Sequence, residues 1–555
     1  MHIPALSCFR IVDLFYFGCI LLEKWFKRKP LERGEKMMKE LTSYTYSFEE
    51  LIQGEFLYVD KTEYIWNMIR PRTAGYFLSR PRRFGKSLTV STLKAIFQGK
   101  KELFNGLAIS KKDYDWKPYP VIHLDMNGLD FSSVEELESS LCGLLKEAAV
   151  LYSLTLESAN AANMFRALIN QLAEKEQVVI LVDEYDKPIL NNLGKAHARA
   201  ILDKLKTFYS VIKAFESKAR FVFVTGVSKF CHVSLFSDLN NLTDISMDYD
   251  YATMFGYTQE EFETYFADRI ESACRQLKQS KKQLLPEIKR WYDGYRFHAE
   301  AEAVYNPVSL AQFFSKRYEF NNYWFSTGTP SFLMELVKKT CFDFESVLSR
   351  PVSAVAFEAF EIDKIDPLSL LLQTGYLTIK SLERKFNMPW YWLDFPNQEV
   401  SVSFNTYLLN AYVEKSRSDI TNFCELLADS MVNGDVDRLR KVLETFFAGI
   451  SYDVHHKDES NFQNIFFAIF RLLGYYIKAE SRTCDGRIDA VTETNEWIYL
   501  FEFKLDRDKS ALEQIKAKEY FKPYLLSSKR IMLIGVNFDT ESGKLSDWQT
   551  EEIVK

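Results

Sequence analysis

The sequence predicts an α/β fold: a P-loop doubly wound parallel sheet, then a helical accessory region and a smaller C-terminal α/β domain. Three observations carry this expectation. The apolar runs Val178 to Val182 and Phe221 to Val224 read as strands buried on both faces, as in a parallel sheet. Such strands alternate with stretches of helical spacing, the pattern of βαβ units. A turn of Gly85, Lys86 and Ser87 joins a strand to a helix, where a parallel sheet receives phosphate.

In chain order, Ile11 to Leu22 is strongly apolar and is followed by Lys24, Lys27, Arg28 and Lys29. Arg10 and Asp13 shorten it below the ~20 apolar residues a bilayer needs. Residues 1–36 therefore read either as a signal anchor or, preferably, as an extension ahead of a start at Met37 or Met38. The next unit, 37–257, holds strands at Gly75 to Ser79, Pro120 to Asp125, Val178 to Asp183 and Phe221 to Gly226, with a helix from Leu88 to Phe97. Residues 258–440 read as mainly helical and rich in aromatics, as in Trp291 to Tyr295 and Tyr323 to Phe325, with aromatic strand character at Trp390 to Leu393. Residues 455–555 read as helix, strand, hairpin strand, helix, strand, long enough for a separate core.

Composition narrows the function. With 47% apolar residues and no low-complexity tract or short repeat, solenoids and disordered scaffolds are excluded. The net charge of -6 excludes a basic footprint over the whole surface, so nucleic acid would need a local patch. Eight scattered cysteines with no Cys-x-x-Cys pair fit a reducing cytoplasm, not a disulfide framework or a zinc site. No stable membrane association is expected.

In a phosphate loop, backbone N–H groups and a lysine surround the phosphates and a hydroxyl reaches the metal. Gly85 would close the turn, Lys86 would reach the β/γ-phosphates, and Ser87 would touch Mg²⁺. Arg82 and Arg83 add positive charge beside the anion, although Arg80 stands where the common pattern has glycine. A basic surface turn is the alternative. Hydrolysis also needs carboxylates at a strand end: Asp183 to hold Mg²⁺ through water, Glu184 to polarise the attacking water. Thr225, ending the next strand, is placed as a γ-phosphate sensor, with Ser228 or Lys229 as alternatives.

A second set of carboxylates lies near the C-terminus. Side chains alternate along a strand, so Glu502 and Lys504 share one face and Phe501 and Phe503 the other. A two-residue hairpin turning on Thr494 and Asn495 puts Asp489 opposite Leu500, on the Glu502 face, whereas a three-residue loop would flip that parity and break the site. Glu459 begins a helix whose apolar face carries Phe462, Phe466, Phe470 and Leu473, and so tends inward. Two or three such carboxylates hold Mg²⁺, and a lysine beside them steadies developing charge, as metal-dependent phosphodiester cleavage requires. A solvated hairpin face is the alternative. From Lys504 to Arg530 there are 8 Lys/Arg against 4 Asp/Glu; contact with phosphate backbone and a salt-bridged helix face both explain this. His123 reads as a core histidine, His455 and His456 as a loop pair, and Trp291 to Phe297 as packing.

Tyr58 to Thr62, Arg80 to Ser87, Val182 to Asp186, Thr225 to Ser228 and Trp291 to Phe297, in that order, resemble the bacterial AAA-ATPase-like family. There the loop itself has the form Arg-Pro-Arg-Arg-Phe-Gly-Lys-Ser, so Arg80 belongs to the signature. Gly486 to Asp489, Glu502 to Leu505 and Gln514 to Tyr520 resemble the PD-(D/E)XK nuclease family, implying a restriction-endonuclease-like fold. That resemblance implies catalytic roles for Glu459, Asp489, Glu502, Lys504 and Gln514, with Asp489 and Glu502 on the metal; Gln463 stands where relatives often have histidine. Together the resemblances imply ATP and Mg²⁺ as cofactors, nucleic acid as partner with DNA favoured over RNA, and room for a homo-oligomer. The expectation is an ATP-hydrolysing module coupled to a metal-dependent nuclease; the alternative is a nucleotide-switched binding protein that does not cleave.

Overall fold

Val178–Asp183 and Ala219–Gly226 are buried at every position in the computed structural model, as strands covered on both faces must be. The structure describes residues 38–42, 45–229, 241–325, 331–340, 342–357, 365–413, 416–448, 459–476, 482–484, 488–505, 510–539 and 544–554. Leu41–Lys555 forms one compact unit. Of a separate unit, Met1–Glu40, only Met38 to Glu40 are described, so the expected extension at 1–36 lies outside the described residues.

Five strands make the first sheet: β1 (Ala74–Ser79), β2 (Val121–Asp125), β3 (Val178–Asp183), β4 (Ala219–Gly226) and β5 (Thr243–Asp244). Their order is β2-β3-β4-β1-β5, and every pairing is parallel. Alternation sorts their side chains into two cores. Val179, Leu181, Phe221 and Phe223 pack with Leu93, Ile96 and Phe97 of α1 (Lys86–Phe97). Val178, Ile180, Val182, Val222 and Val224 pack with α2 (Val134–Val150), α3 (Ala161–Ala173) and α4 (Ala198–Ala214). Helices thus cover both faces and the sheet is doubly wound. Because β4 lies between β1 and β3, the loop after β1, the end of β4 and the end of β3 share one carboxyl edge, where open α/β sheets bind ligands.

Beyond Thr258 the chain is largely helical, as in α5 (Lys281–Tyr292). A three-stranded antiparallel sheet interrupts it, ordered β6-β8-β7, from β6 (Val352–Ser353), β7 (Thr378–Lys385) and β8 (Met388–Asp394). Helices α6 (Gln398–Val413), α7 (Arg417–Val432) and α8 (Val436–Phe447) then precede α9 (Glu459–Tyr476). Asn464 of α9 ties back to α6 by donating to the Tyr412 hydroxyl at 3.2 Å.

The C-terminal sheet is mixed, in the order β13-β12-β11-β10-β9: β9 (Arg482–Cys484), β10 (Ile488–Glu493), β11 (Trp497–Leu505), β12 (Arg530–Asp539) and β13 (Lys544–Ile553). Only β11 and β12 run parallel. β9 and β13 add to the anticipated pattern; β9 is very short, and β13 is a charged outer strand without an apolar run. On one face, α9 stacks Phe466 on Phe503 with ring centroids 4.0 Å apart and Phe470 against Phe501 at 5.0 Å. On the other, Leu500 and Leu533 pack with Leu512 and Ile515 of α10 (Ala511–Ala517).

Candidate functional site

The loop after β1 turns through two left-handed residues, Arg83 at φ 69° and Gly85 at φ 91°. Nothing lies within 4 Å of a Cβ built on Gly85, so glycine is wanted there for conformation, not for space. The loop then enters α1 at Lys86. Lys86 is 5% exposed, and its Nζ donates to the Arg80 and Pro81 carbonyls at 3.0 and 3.1 Å. Burial lowers the pKa of its ammonium, opposed chiefly by the charge of Asp183. Asp183, at the end of β3, is 2% exposed; burial pushes its carboxyl up to about 6, against a hydrogen bond from Ser87 and the charge of Lys86.

Glu184 follows in a left-handed conformation, φ 52°, and its carboxylate pairs with Lys187 at 3.2 Å. Lys187 also donates to Asn127 Oδ1. Thr225 is fully buried at the end of β4, and its Oγ1 has no hydrogen-bond partner among the described residues. The alternatives named for its role are engaged elsewhere: Ser228 donates to Asp186 at 2.7 Å, and Lys229 pairs with Asp244 at 2.8 Å. Asp186 also accepts the Ser228 N–H at 2.8 Å, and the Tyr185 hydroxyl donates to the Ser228 carbonyl at 2.8 Å. The segments around Asp183 and Thr225 are therefore locked together. A Cβ on Gly226 would strike Asp186 Oδ1 and come within 2.6 Å of the Tyr185 ring.

The Arg80 side chain is buried and engaged within the protein. It is 1% exposed, donates to the carbonyls of Ser79 (3.0 Å), Tyr251 (3.3 Å) and Ser246, and stacks over Phe297 at 4.1 Å. Burial pulls its guanidinium down to about 9. Arg82 and Arg83 are exposed. The aromatic run reaches the loop: Tyr295 lies 4.8 Å and Phe297 5.4 Å from the ring of Phe84. A cavity lined by Arg80, Lys229, Phe297 and Gln373 includes neither Lys86 nor Asp183.

Sequence reasoning passed over Asp125. It ends β2 in direct register with Asp183 and accepts the Asn127 N–H at 2.9 Å. Its charge also raises the pKa of Asp183 and is the foremost influence raising that of the Tyr46 phenol. The signal was present, since both strands end in aspartate after an apolar run, but only the pairing makes the two carboxylates neighbours.

In the C-terminal sheet Glu502 is 2% exposed, pairs with Lys504 at 3.2 Å and accepts from the Gln514 amide on α10. The hairpin turns one residue later than expected. Thr494 N–H donates to the Trp497 carbonyl at 2.8 Å and its hydroxyl accepts from Trp497 N–H at 3.0 Å, so Thr494 closes the ladder and the turn falls on Asn495 and Glu496. Ala490 then pairs with Phe501, and Asp489, one position on, stands at the level of Glu502 rather than opposite Leu500. The side chains of Asp489, Glu459 and Gln463, and all of His455 and His456, lie outside the described residues. Among the described residues no group of three or more His, Cys, Asp or Glu is placed to hold a metal.

The basic stretch is largely paired. Lys516 meets Glu551 at 2.8 Å, Lys529 meets Glu493 at 3.1 Å, Arg530 meets Glu552 at 2.7 Å, and Lys522 pairs with Glu519. Lys518 lies over the Tyr520 ring at 5.7 Å, while Arg507 and Lys509 fall outside the described residues. The described part is thus a salt-bridged face. No helix among the described residues is long and apolar enough to cross a membrane, and Cys142, Cys274 and Cys424 are free.

A buried loop lysine beside a strand-end aspartate on a five-stranded parallel sheet defines a P-loop protein, and the mixed sheet bearing Glu502 and Lys504 adds a nuclease-like module. Comparisons agree: residues 44–236 match the family model described as "Predicted AAA-ATPase", and residues 457–548 match that of the PD-(D/E)XK nuclease superfamily. The chain is 38% identical over 531 residues to an "Uncharacterized protein in vnfD 5'region" of Azotobacter chroococcum mcd 1, covering 93% of this chain and 99% of that relative. The chain belongs to the AAA-ATPase-like family, with a PD-(D/E)XK nuclease-superfamily domain at its C-terminus. These matches support an ATPase-like and nuclease-like function in general terms.

Proposed function

We propose that this protein binds and hydrolyses ATP with Mg²⁺ at the Arg80–Ser87 loop, and that its C-terminal domain cleaves nucleic acid, DNA in preference to RNA. The observation that carries the reading is buried Lys86 lodged against the Arg80 and Pro81 carbonyls, within the field of Asp183. An ammonium lowered in pKa by burial is stabilised when phosphate replaces those carbonyls. Ser87 and Asp183 offer hard oxygen ligands side by side, which suits Mg²⁺. The orphaned Thr225 hydroxyl suits a contact to the γ-phosphate or its water. Mg²⁺ held by Ser87 and Asp183 would supply charge withdrawal from the phosphate oxygens.

Lys86 then neutralises β/γ-phosphate charge, and Arg82 and Arg83 supply exposed positive charge beside it. Glu184 orients water after parting from Lys187. At the second site Asp489 and Glu502 would hold the metal with Glu459 as a further carboxylate, Lys504 would steady the scissile phosphate, and Gln514 keeps Glu502 in place. The units 37–257, 258–440 and 455–555 are the proposed divisions of labour. The test is a matched assay of ATP hydrolysis and of Mg²⁺- or Mn²⁺-dependent DNA cleavage on wild type, Lys86→Ala and Asp489→Ala. Lys86→Ala should lose hydrolysis by about a hundredfold or more, the scale of losing an electrostatic transition-state contact. Asp489→Ala should lose cleavage alone. Undiminished hydrolysis in Lys86→Ala would sink the first site; cleavage absent from wild type would leave a nucleotide-switched binder.

A further inference from the structure

The phosphate loop is held from outside by a residue far along the chain. The Trp324 indole Nε1–H donates to the Arg82 carbonyl at 3.1 Å. Trp324 is itself anchored, since its backbone N–H donates to Glu399 Oε1 at 2.6 Å while the Ser309 hydroxyl donates to Glu399 Oε2 at 2.7 Å. Glu399 is fully buried and Trp324 is 6% exposed, with its ring 5.3 Å from that of Tyr376. A trans peptide unit carries its carbonyl and its N–H on opposite sides. Pinning the Arg82 carbonyl therefore fixes the direction of the Arg83 N–H. Arg83 is also left-handed, at φ 69°, a conformation that costs a non-glycine residue energy and persists where the surroundings over-determine it.

We propose that Trp324 and Glu399 are positioning residues for the nucleotide: the Trp324 indole N–H holds the loop's backbone donors in their phosphate-binding arrangement, and Glu399 fixes Trp324. This rests on the reading of the loop as the ATP site. Neither residue touches the phosphates; both act through the Arg82 peptide. The accessory region is in consequence part of the nucleotide site, although its contributing residues lie outside the matched segment 44–236.

The test uses the full-length chain. Mg²⁺-ATP affinity is measured by titration calorimetry, with steady-state hydrolysis and thermal midpoints, on wild type, Lys86→Ala, Trp324→Phe, Glu399→Gln, Glu399→Ala and Trp324→Phe/Glu399→Ala. Trp324→Phe keeps an aromatic ring and loses the N–H; binding should weaken about five- to tenfold, the worth of one hydrogen bond, with KM moving more than kcat. Glu399→Gln keeps an acceptor and should bind nearly as wild type. Glu399→Ala should weaken binding as Trp324→Phe does, and the double variant should be no weaker than the worse single, because both act on one contact. Wild-type affinity in Trp324→Phe, with binding abolished in Lys86→Ala, overturns the proposal and leaves the ATP site standing. Unchanged binding in Lys86→Ala overturns the site reading instead. A loss in Trp324→Phe that only tracks a lowered midpoint, with KM and kcat unsplit, also overturns the proposal. If Glu399→Ala fails to fold, Trp324→Phe decides alone.

Discussion

Thr225 Oγ1 is buried with no partner among the described residues, and an unsatisfied buried hydroxyl costs about 1–3 kcal/mol. Thr225→Val removes that cost while keeping shape. The variant should be as stable as wild type or more so, yet hydrolyse ATP about tenfold more slowly, in line with the loss of a positioned polar contact. Thermal midpoint and turnover measured together check this; equal turnover would remove Thr225 from the site. Arg80 teaches a related lesson. It stands where the common loop pattern has glycine, and its guanidinium is spent on carbonyls and the Phe297 ring. Asp125 teaches the converse, since one aspartate at a strand end is ordinary until register sets it beside Asp183.

At the scale of elements, the join between β3 and β4 depends on Gly226, where a Cβ would collide with Asp186 and Tyr185. Gly226→Ala should cost about 1–3 kcal/mol, as overpacking does, and lower the thermal midpoint; an unchanged midpoint would contradict the interlock. Glu399, near the start of α6, gives a pH signature. Burial pushes its carboxyl from 4.5 up to about 7 in the folded chain. A raised carboxyl contributes stability in full below its unfolded pKa and loses it as pH rises through the folded value. Glu399→Gln has no such group, so its midpoint relative to wild type should climb from pH 5 to pH 8. A difference that stays flat with pH would refute this.

How far these elements were legible follows from their physics. β3 and β4 stood out because strands buried on both faces are apolar throughout. The loop and α1 stood out because Gly85 and Lys86 punctuate a strand-to-helix junction. β5, two exposed residues, and β13, a charged outer strand, carry no such pattern. The β10–β11 turn was misplaced by one residue because Thr494 and Asn495 both suit turns, and the Thr494–Trp497 bonds decide between them. Alternation survived that error, since moving a two-residue turn by one position shifts pairing by two and keeps each side chain on its face. Trp324 on the Arg82 carbonyl could not be read at all, because no local spacing reports a contact 242 residues apart.

Across the whole molecule, the two proposed sites are joined by packing. Trp324 links the loop to Glu399 on α6, α6 meets α9 through Tyr412 and Asn464, and α9 stacks on Phe501 and Phe503, which flank Glu502. This continuity is why Lys86→Ala and Asp489→Ala are to be assayed for both activities and not for one each. The central claim is narrower, namely that the Arg80–Ser87 loop is a Mg²⁺-ATP site centred on Lys86. Titration calorimetry of Mg²⁺-ATP into wild type and Lys86→Ala tests it most directly. The account predicts saturable one-to-one binding to wild type and no measurable heat with a folded Lys86→Ala; equal affinity in the two proteins would contradict it.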